Sequence, residues 1–297
     1  MDKEDVHGGA PQAIGASRAR LALLLGVGAV SFSSILSRLS GADPLAIAFY
    51  RQLLAGVLLM PWAIPKLGEL KALSRKEQSL LLVSGLFLAV HFGTWITSIF
   101  QTTIAASVVL VHTDPIMVAA LAYVFLGERP GRRTLFGFLL AIVGVVAITG
   151  GDSYSAAFMV GSGDFLAITG AFAVAIYILA GRRLRRTLSV ITYASVVYLL
   201  SAFFLLMWAP LSGQTLTGYT SLQYLMFLAL ALGPSVLGHT SFNYALKYVK
   251  ASTVSVSTLG EPAVASLLAV IVFSEVPSGY AALGAALVLA GLYVALR

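Results

Sequence analysis

Apolar residues along this chain gather into ten blocks separated by short polar joints. A helix that crosses a bilayer needs about 20 mostly apolar residues. The blocks fall at 20–37, 45–64, 78–100, 103–125, 133–150, 164–181, 190–209, 222–246, 252–273 and 279–296. Gln101 and Thr102 are almost all that separates the third block from the fourth, and so short a joint forces antiparallel neighbours. The pattern predicts an all-α, polytopic membrane protein of about ten transmembrane helices. Residues 1–19 read as a flexible cytoplasmic tail. Asp2, Glu4 and Asp5 deny it the basic start of a signal peptide, so the first block is expected to be a retained helix.

Composition agrees with lipid as the solvent. The 297 residues are 59% hydrophobic and 10% charged, where soluble chains carry about 25% charged residues. Mean hydropathy is +0.92. Too little polar surface remains to face water on every side. The net charge of +7 would suggest nucleic acid in a soluble protein, but here the basic residues sit in joints between apolar blocks. With no cysteine there are no disulfides, thiolate metal sites or cysteine nucleophiles.

The basic residues orient the chain. Lys3, Arg18 and Arg20 precede the first block, and Lys66, Lys71, Arg75 and Lys76 lie between the second and third. Arg129, Arg132 and Arg133 follow the fourth, Arg182, Arg183, Arg185 and Arg186 follow the sixth, and Lys247 and Lys250 follow the eighth. With Arg297, these make seventeen of the 19 Lys and Arg on one side. That bias places both termini in the cytoplasm and supports the helix count, since one miscounted helix would scramble the alternation.

The chain also repeats itself at an offset of 147 residues. Glu128, Pro130, Gly137 and Gly144 recur as Glu275, Pro277, Gly284 and Gly291. Asp114-Pro115 falls on Glu261-Pro262, and Ile104-Ala105-Ala106 on Ala251-Ser252-Thr253. The first five-helix repeat covers 20–150, an external linker 151–163, and the second repeat 164–297. Five is odd, so the second half enters the membrane from the opposite side, an inverted repeat of the kind many secondary transporters use.

These motifs carry a resemblance. Pro44 to Arg51 (PLAIAFYR), Ala245 to Ser252 (ALKYVKAS), Leu259 to Pro262 (LGEP) and the two E-x-P-x6-G-x6-G stretches resemble the drug/metabolite transporter superfamily, in its ten-helix branch with paired EamA-type domains. The likeness covers nearly the whole chain after the tail, and extends in fold to that superfamily's bacterial aromatic amino-acid exporter. It implies alternating access by two inverted five-helix bundles around a central cavity, with amino acids, other metabolites, nucleotide sugars or drugs as cargo. The acid before Pro115 departs from the small or apolar residue the pattern leads one to expect there.

Few residues at bilayer depth carry chemistry. Of 12 Asp and Glu, only Asp114 and Glu261 fall near the middle of a block. A lone carboxylate there costs roughly 3 kcal/mol or more, so each needs a partner, water or a proton. Either they exchange protons with a cavity and couple transport to a proton gradient, or they bond structurally to backbone groups freed by the prolines or to Arg51. Arg51 suits a salt bridge to Asp114 or a substrate carboxylate, because its planar fork donates two parallel hydrogen bonds. Its alternative is to snorkel to the near interface. His91 and Trp95 lie four residues apart, as do His239 and Asn243, so each pair shares a helical face. Those faces read as cavity walls or as interhelical glue. His112 reads more as glue. Tyr177, Tyr193 and Tyr198 read as cavity lining or as interfacial anchors. Gly233-Pro234 marks a kink or a binding region in the eighth block, and Gly137, Ala141 and Gly144 form a small-residue stripe for close helix packing.

The expected function is a secondary transporter, not an enzyme. It would export a small organic metabolite, an amino acid or a similar amphipathic solute, by alternating access with proton coupling. Its expected partners are that solute, lipid and protons. No nucleic acid or cofactor is called for, and the oligomeric state reads as monomer or weak homodimer. The bacterial inner membrane is the expected location. A rival reading is a divalent-metal transporter or intramembrane metalloenzyme, since His91, His112, Asp114, His239 and Glu261 are ligand types, although no known metal spacing occurs. A channel would need a ring of like groups on symmetric helices. No hydrolase elbow or phosphate loop is present.

Overall fold

A computed structural model describes residues 9–102, 104–150, 161–264 and 279–296. The helices among the described residues group into ten spans. The first span runs Gly9–Val30 and Ser33–Ser40, the second Pro44–Ala63 and the third Arg75–Gln101. The fourth comes in two pieces, Ile104–Val111 and Asp114–Leu126, and the fifth runs Arg132–Gly150. The second half repeats the series: Ser162–Leu184, Val190–Leu211, then Ser221–Ala245 with an internal π-helical stretch at Ala231–His239. The ninth span starts with Ala251–Thr258, and the tenth runs Gly279–Leu296. Six of the spans are helices long and apolar enough to cross a membrane unaided. The chain is an all-helical, multi-pass membrane protein.

Local chemistry sets the helix ends. The third and eighth spans open on reciprocal caps, Ser74 with Glu77 and Thr220 with Gln223. Pro44 sits in a first turn, where its missing N–H is no loss. Gly127 ends the fourth span in the left-handed conformation at φ 66°, which only glycine adopts without strain.

Some expectations are corrected. Residues 9–19, assigned to a flexible tail, are helical. Ala10, Ala13, Ala16 and Ala19 favour helix, and Gly15 lies so close to Tyr248 that a Cβ there would stand 2.7 Å from its ring. The linker expected at 151–163 stops short of Ser162, where the sixth span begins; residues 151–160 lie outside the described set, as do Glu275 and Pro277 of the repeat. The fourth and ninth spans are broken rather than continuous, at His112-Thr113 and near Leu259. The first break directly precedes Asp114-Pro115, and Gly260 alone separates the second from Glu261-Pro262.

The loops sort into two groups by contact. At one end Arg182 Nε bonds Glu128 at 2.8 Å, Lys250 Nζ reaches the Arg129 carbonyl at 2.8 Å, and Ser189 N donates to Glu69 at 2.7 Å. The basic joints after the second, fourth, sixth and eighth spans therefore share one end of the bundle. At the other end Thr102 bonds Asp164, and Asp43 accepts from Thr215 and Tyr219.

The packing is that of two halves exchanged by a two-fold axis. Second packs on seventh, fourth on ninth and fifth on tenth, and each of these pairs maps onto itself when the halves are exchanged. Third packs on sixth, and first packs on eighth in the mirror contact. The seam of fifth and tenth spans is the tightest. A Cβ on Gly137 would meet the Gly291 carbonyl at 2.5 Å, and one on Gly291 would meet the Gly137 carbonyl at 2.5 Å. A Cβ on Gly144 would meet the Gly284 carbonyl at the same distance. The small-residue stripe thus packs within the chain.

Two measurements check this architecture. Since the chain has no cysteine, single-cysteine labelling reads its topology directly. Lys71→Cys, Arg129→Cys and Arg186→Cys are expected to react from one face of the membrane, and Thr217→Cys from the other. In detergent melts, Gly144→Leu is expected to destabilise by about 3 kcal/mol through overpacking. Gly28→Ala, where a Cβ meets nothing within 4 Å, is expected to be neutral or better.

Candidate functional site

The fourth and ninth spans cross at their breaks, and proline explains why. Pro262 has no N–H, so the carbonyl four residues back, at Thr258, loses its helical donor. In an apolar surround an unpaired carbonyl is costly. His112, from the other half, stands in the donor's place: its Nε2 lies 3.1 Å from the Thr258 carbonyl oxygen and bonds it when that nitrogen carries a proton. Its Nδ1 lies 2.7 Å from the Val108 carbonyl of its own helix. His112 Nε2 also stands 3.7 Å from Glu261 Oε2. At the matching place in the second half stands Leu259, which cannot donate, so the two breaks are symmetric in backbone and unlike in chemistry.

Asp114 and Glu261 each sit at the start of the helix that follows a break. The positive end of a helix dipole favours a carboxylate there. Asp114 also accepts a short hydrogen bond from Ser255 Oγ on the ninth span. The predicted salt bridge from Arg51 to Asp114 is absent, as no Arg or Lys lies within 4 Å of Asp114 among the described residues.

A small cavity of about 60 Å³ opens beside this crossing, below the about 300–1,000 Å³ of an open small-molecule site. Its walls come from both halves and include His91, Trp95, Tyr177, His239 and Asn243, with His112, Asp114 and Glu261 at the crossing. Seven of the eight residues singled out as substrate or coupling groups thus line one space, and His112 joins them.

Close helix approach holds these side chains. Gly170 lets the sixth span meet the third, and its carbonyl takes His91 Nδ1 at 2.9 Å. The His91 ring stacks on Trp95 at 5.9 Å. Tyr177 donates to Asn243 Oδ1 at 2.7 Å. Three atoms on the wall are left without a hydrogen-bond partner: Trp95 Nε1, Asn243 Nδ2 and Glu261 Oε1.

Arg51 is the eighth residue, and it stands behind the wall rather than in it. It is fully buried, so it does not snorkel. Its Nη1 donates to Ser33 Oγ at 2.8 Å, its Nε to Ser235 Oγ at 3.0 Å, and its guanidinium lies 4.1 Å from the centre of the Phe92 ring. Ser33 itself lines the cavity. The two hydroxyls and the ring draw the side chain inward, a choice that sequence spacing does not reveal. Ser235 belongs to the π-helical stretch around Pro234, so the predicted irregularity of the eighth span serves to aim a residue at Arg51. Tyr193 and Tyr198 are buried but lie outside the cavity; they bond Ser84 and Thr240. The interfacial-anchor reading fails for all three tyrosines.

Sequence reasoning missed Ser33, Ser255 and Thr258, small hydroxyl residues that look like packing. It also missed the clasp at the basic end. Glu128 accepts from Arg182 Nε and from the Ala251 backbone N–H at 3.2 Å, while Arg182 Nη1 bonds the Leu246 carbonyl at 2.6 Å. One carboxylate from the first half thus ties together two joints of the second. The available signal was that Glu128 is one of few acids among those basic joints. Nearby Arg185 donates to the Asn243 and Leu188 carbonyls, and burial lowers its pKa from the usual arginine value. Among the described residues no group of three or more His, Asp or Glu is arranged to hold a metal ion, so the geometry lends the metal reading no support.

The comparisons with known proteins follow the same lines. A model described as the EamA-like transporter family matches residues 18–150 and 161–297. An uncharacterized transporter of Archaeoglobus fulgidus is 29% identical over 280 residues, covering 92% of this chain and 95% of its own. The uncharacterized transporter YdfC of Bacillus subtilis is 26% identical over 275 residues, covering 91% and 87%. The pseudopaline exporter CntI of Pseudomonas aeruginosa is 31% identical over 109 residues, 37% of each chain. A solved crystal structure superposes with a TM-score of 0.78 at 19% identity, covering 94% of this chain and 96% of its own, which is a likeness of fold.

The bridge across the breaks is testable. His112→Leu places in the first half the residue that the second half already has, and strips the Thr258 carbonyl of its donor. A loss of about 1–3 kcal/mol is expected, read as a lowered melting temperature in detergent, whereas His112→Gln, which can still donate, is expected to recover part of it.

Proposed function

The chain belongs to the EamA-like transporter family, and on that premise we propose that it exports a small organic metabolite by proton-coupled alternating access. The solute is an amino acid or a similar amphipathic molecule. The reading rests above all on one observation: Asp114, His112 and Glu261 meet where two broken spans cross, beside a cavity walled by both halves. Broken spans at the interface of inverted repeats are where transporters of this build hold their cargo. Carboxyl groups at that depth are costly when charged and unpaired, so a proton and a solute group are natural alternatives for neutralising them. The cycle then needs only one rule, that the halves exchange which end is open when the acids change partner.

In such a cycle the clasp of Glu128, Arg182 and the Ala251 amide would have to release when the basic end opens, because it ties the first half to the second there. The asymmetry of Lys and Arg supports placing that end, with both termini, in the cytoplasm of a bacterial cell, with the protein in the inner membrane. The same asymmetry supports placing the joint of Gln214 and Thr215 outside.

The test is a metabolite screen in proteoliposomes, run with and without a pH gradient, followed by Asp114→Asn and Glu261→Gln. Each single variant is expected to lose gradient-driven movement while solute exchange between the two sides survives. Full gradient-driven movement in both variants would sink the coupling role of the acids.

A further inference from the structure

The cations at the basic end do not all keep the same company. Arg182 holds Glu128 at 2.8 Å, and Arg185 is buried against the Asn243 and Leu188 carbonyls. The joint after the second span sets Lys66, Lys71, Arg75 and Lys76 among two acids, Glu69 and Glu77. The joint after the fourth span is different. Its one acid is Glu128, already engaged by Arg182 and the Ala251 amide. Arg129, Arg132 and Arg133 are exposed, and none has a carboxylate within 4 Å among the described residues. Exposed Lys250 joins them from the ninth span's side. Its Nζ bonds the Arg129 carbonyl at 2.8 Å and keeps two further N–H donors.

The surface that runs from this corner into the membrane is apolar. Arg132 shares a helical face with Phe136 and Leu139, four and seven residues on. Those two, with Val124 and Phe125 near the end of the fourth span, are each more than half exposed. Tyr123 stands between the two zones. Its ring centre lies 5.1 Å from the Arg129 guanidinium, and its hydroxyl accepts from Arg129 Nη2 at 3.3 Å. Tyrosine takes that level at the edge of a bilayer.

A soluble anion would answer the cations and leave the apolar strip unused. A lipid without net charge would cover the strip and leave the cations in excess. We infer that this corner holds the headgroup of an anionic phospholipid, with its acyl chains along the exposed strip of the fourth and fifth spans. The planar forks of the arginines bond phosphate oxygens in pairs, and each Lys or Arg at a bilayer surface adds to the pull on such headgroups. Arg129 belongs to the first half and Lys250 to the second, so the headgroup lies across the boundary between the halves, beside the pair of Glu128 and Arg182. The inference does not rest on the transport reading above.

The experiment is a lipid titration of the purified, delipidated full-length protein, read by native mass spectrometry. Phosphatidylglycerol, phosphatidylcholine and glycerol 3-phosphate are the probes. Phosphatidylglycerol is expected to fill the first site about tenfold more tightly than phosphatidylcholine, and glycerol 3-phosphate at equal concentration is expected not to displace it. The triple variant Arg129→Gln, Arg132→Gln, Arg133→Gln should weaken that first site about tenfold or more. A second triple variant, Lys66→Gln, Lys71→Gln, Lys76→Gln, removes the same charge from the other joint and should stay within about twofold of the parent protein. Lys250→Gln tests the second half's share and should weaken the site about fivefold; it decides the matter if the arginine triple does not fold. The proposal is overturned if the two lipids bind alike, if glycerol 3-phosphate displaces the lipid, if the two triple variants lose affinity equally, or if Lys250→Gln binds as the parent does.

Discussion

A backbone carbonyl in lipid must find a donor, and this protein removes donors at its own centre. Pro115 and Pro262 break two spans where they cross. The Thr258 oxygen that results is met by a histidine from the opposite half. Much of the site follows from that one need. The break exposes a helix start, the helix start steadies a carboxyl, and the histidine that repairs the backbone is carried within 3.7 Å of that carboxyl. A structural repair and a titratable cluster thus occupy the same few residues, and a change in either is felt by the other.

The two-fold arrangement multiplies this economy and then departs from it. Paired glycines, paired acid-proline steps and paired span contacts obey the repeat. His112 facing Leu259 does not, nor does Trp95 against Asn243, which fall one residue out of register at the offset of 147. Symmetry of backbone supplies two interchangeable halves. Asymmetry of side chains leaves the space between them with unlike walls.

How much of this could be read from the chain alone follows from the kind of physics involved. Spans, their alternation and the repeat are properties of many residues at once, so block length, basic joints and the offset carried them without contacts. His91, Trp95, His239 and Asn243 were legible because polar residues four apart on an apolar helix declare a face. Arg51 was not, since its neighbours Ser33 and Ser235 are 18 and 184 residues away. The breaks were only half legible: the acid-proline pairs were visible, but not that the helix stops before them. The first helix extends into Gly9–Ala19 because alanine favours helix even where hydropathy is low, a signal that a search for apolar blocks does not weigh.

The seam of the fifth and tenth spans sets a boundary condition on motion. With carbonyl oxygens seated against glycine Cα atoms at three places, the two helices mesh like a rack and cannot creep past one another by a fraction of a turn. Any rocking of the remaining spans would therefore pivot about this fixed post. The bending has to be absorbed elsewhere, and the eighth span, already unwound between Ala231 and His239, is the element with slack to give.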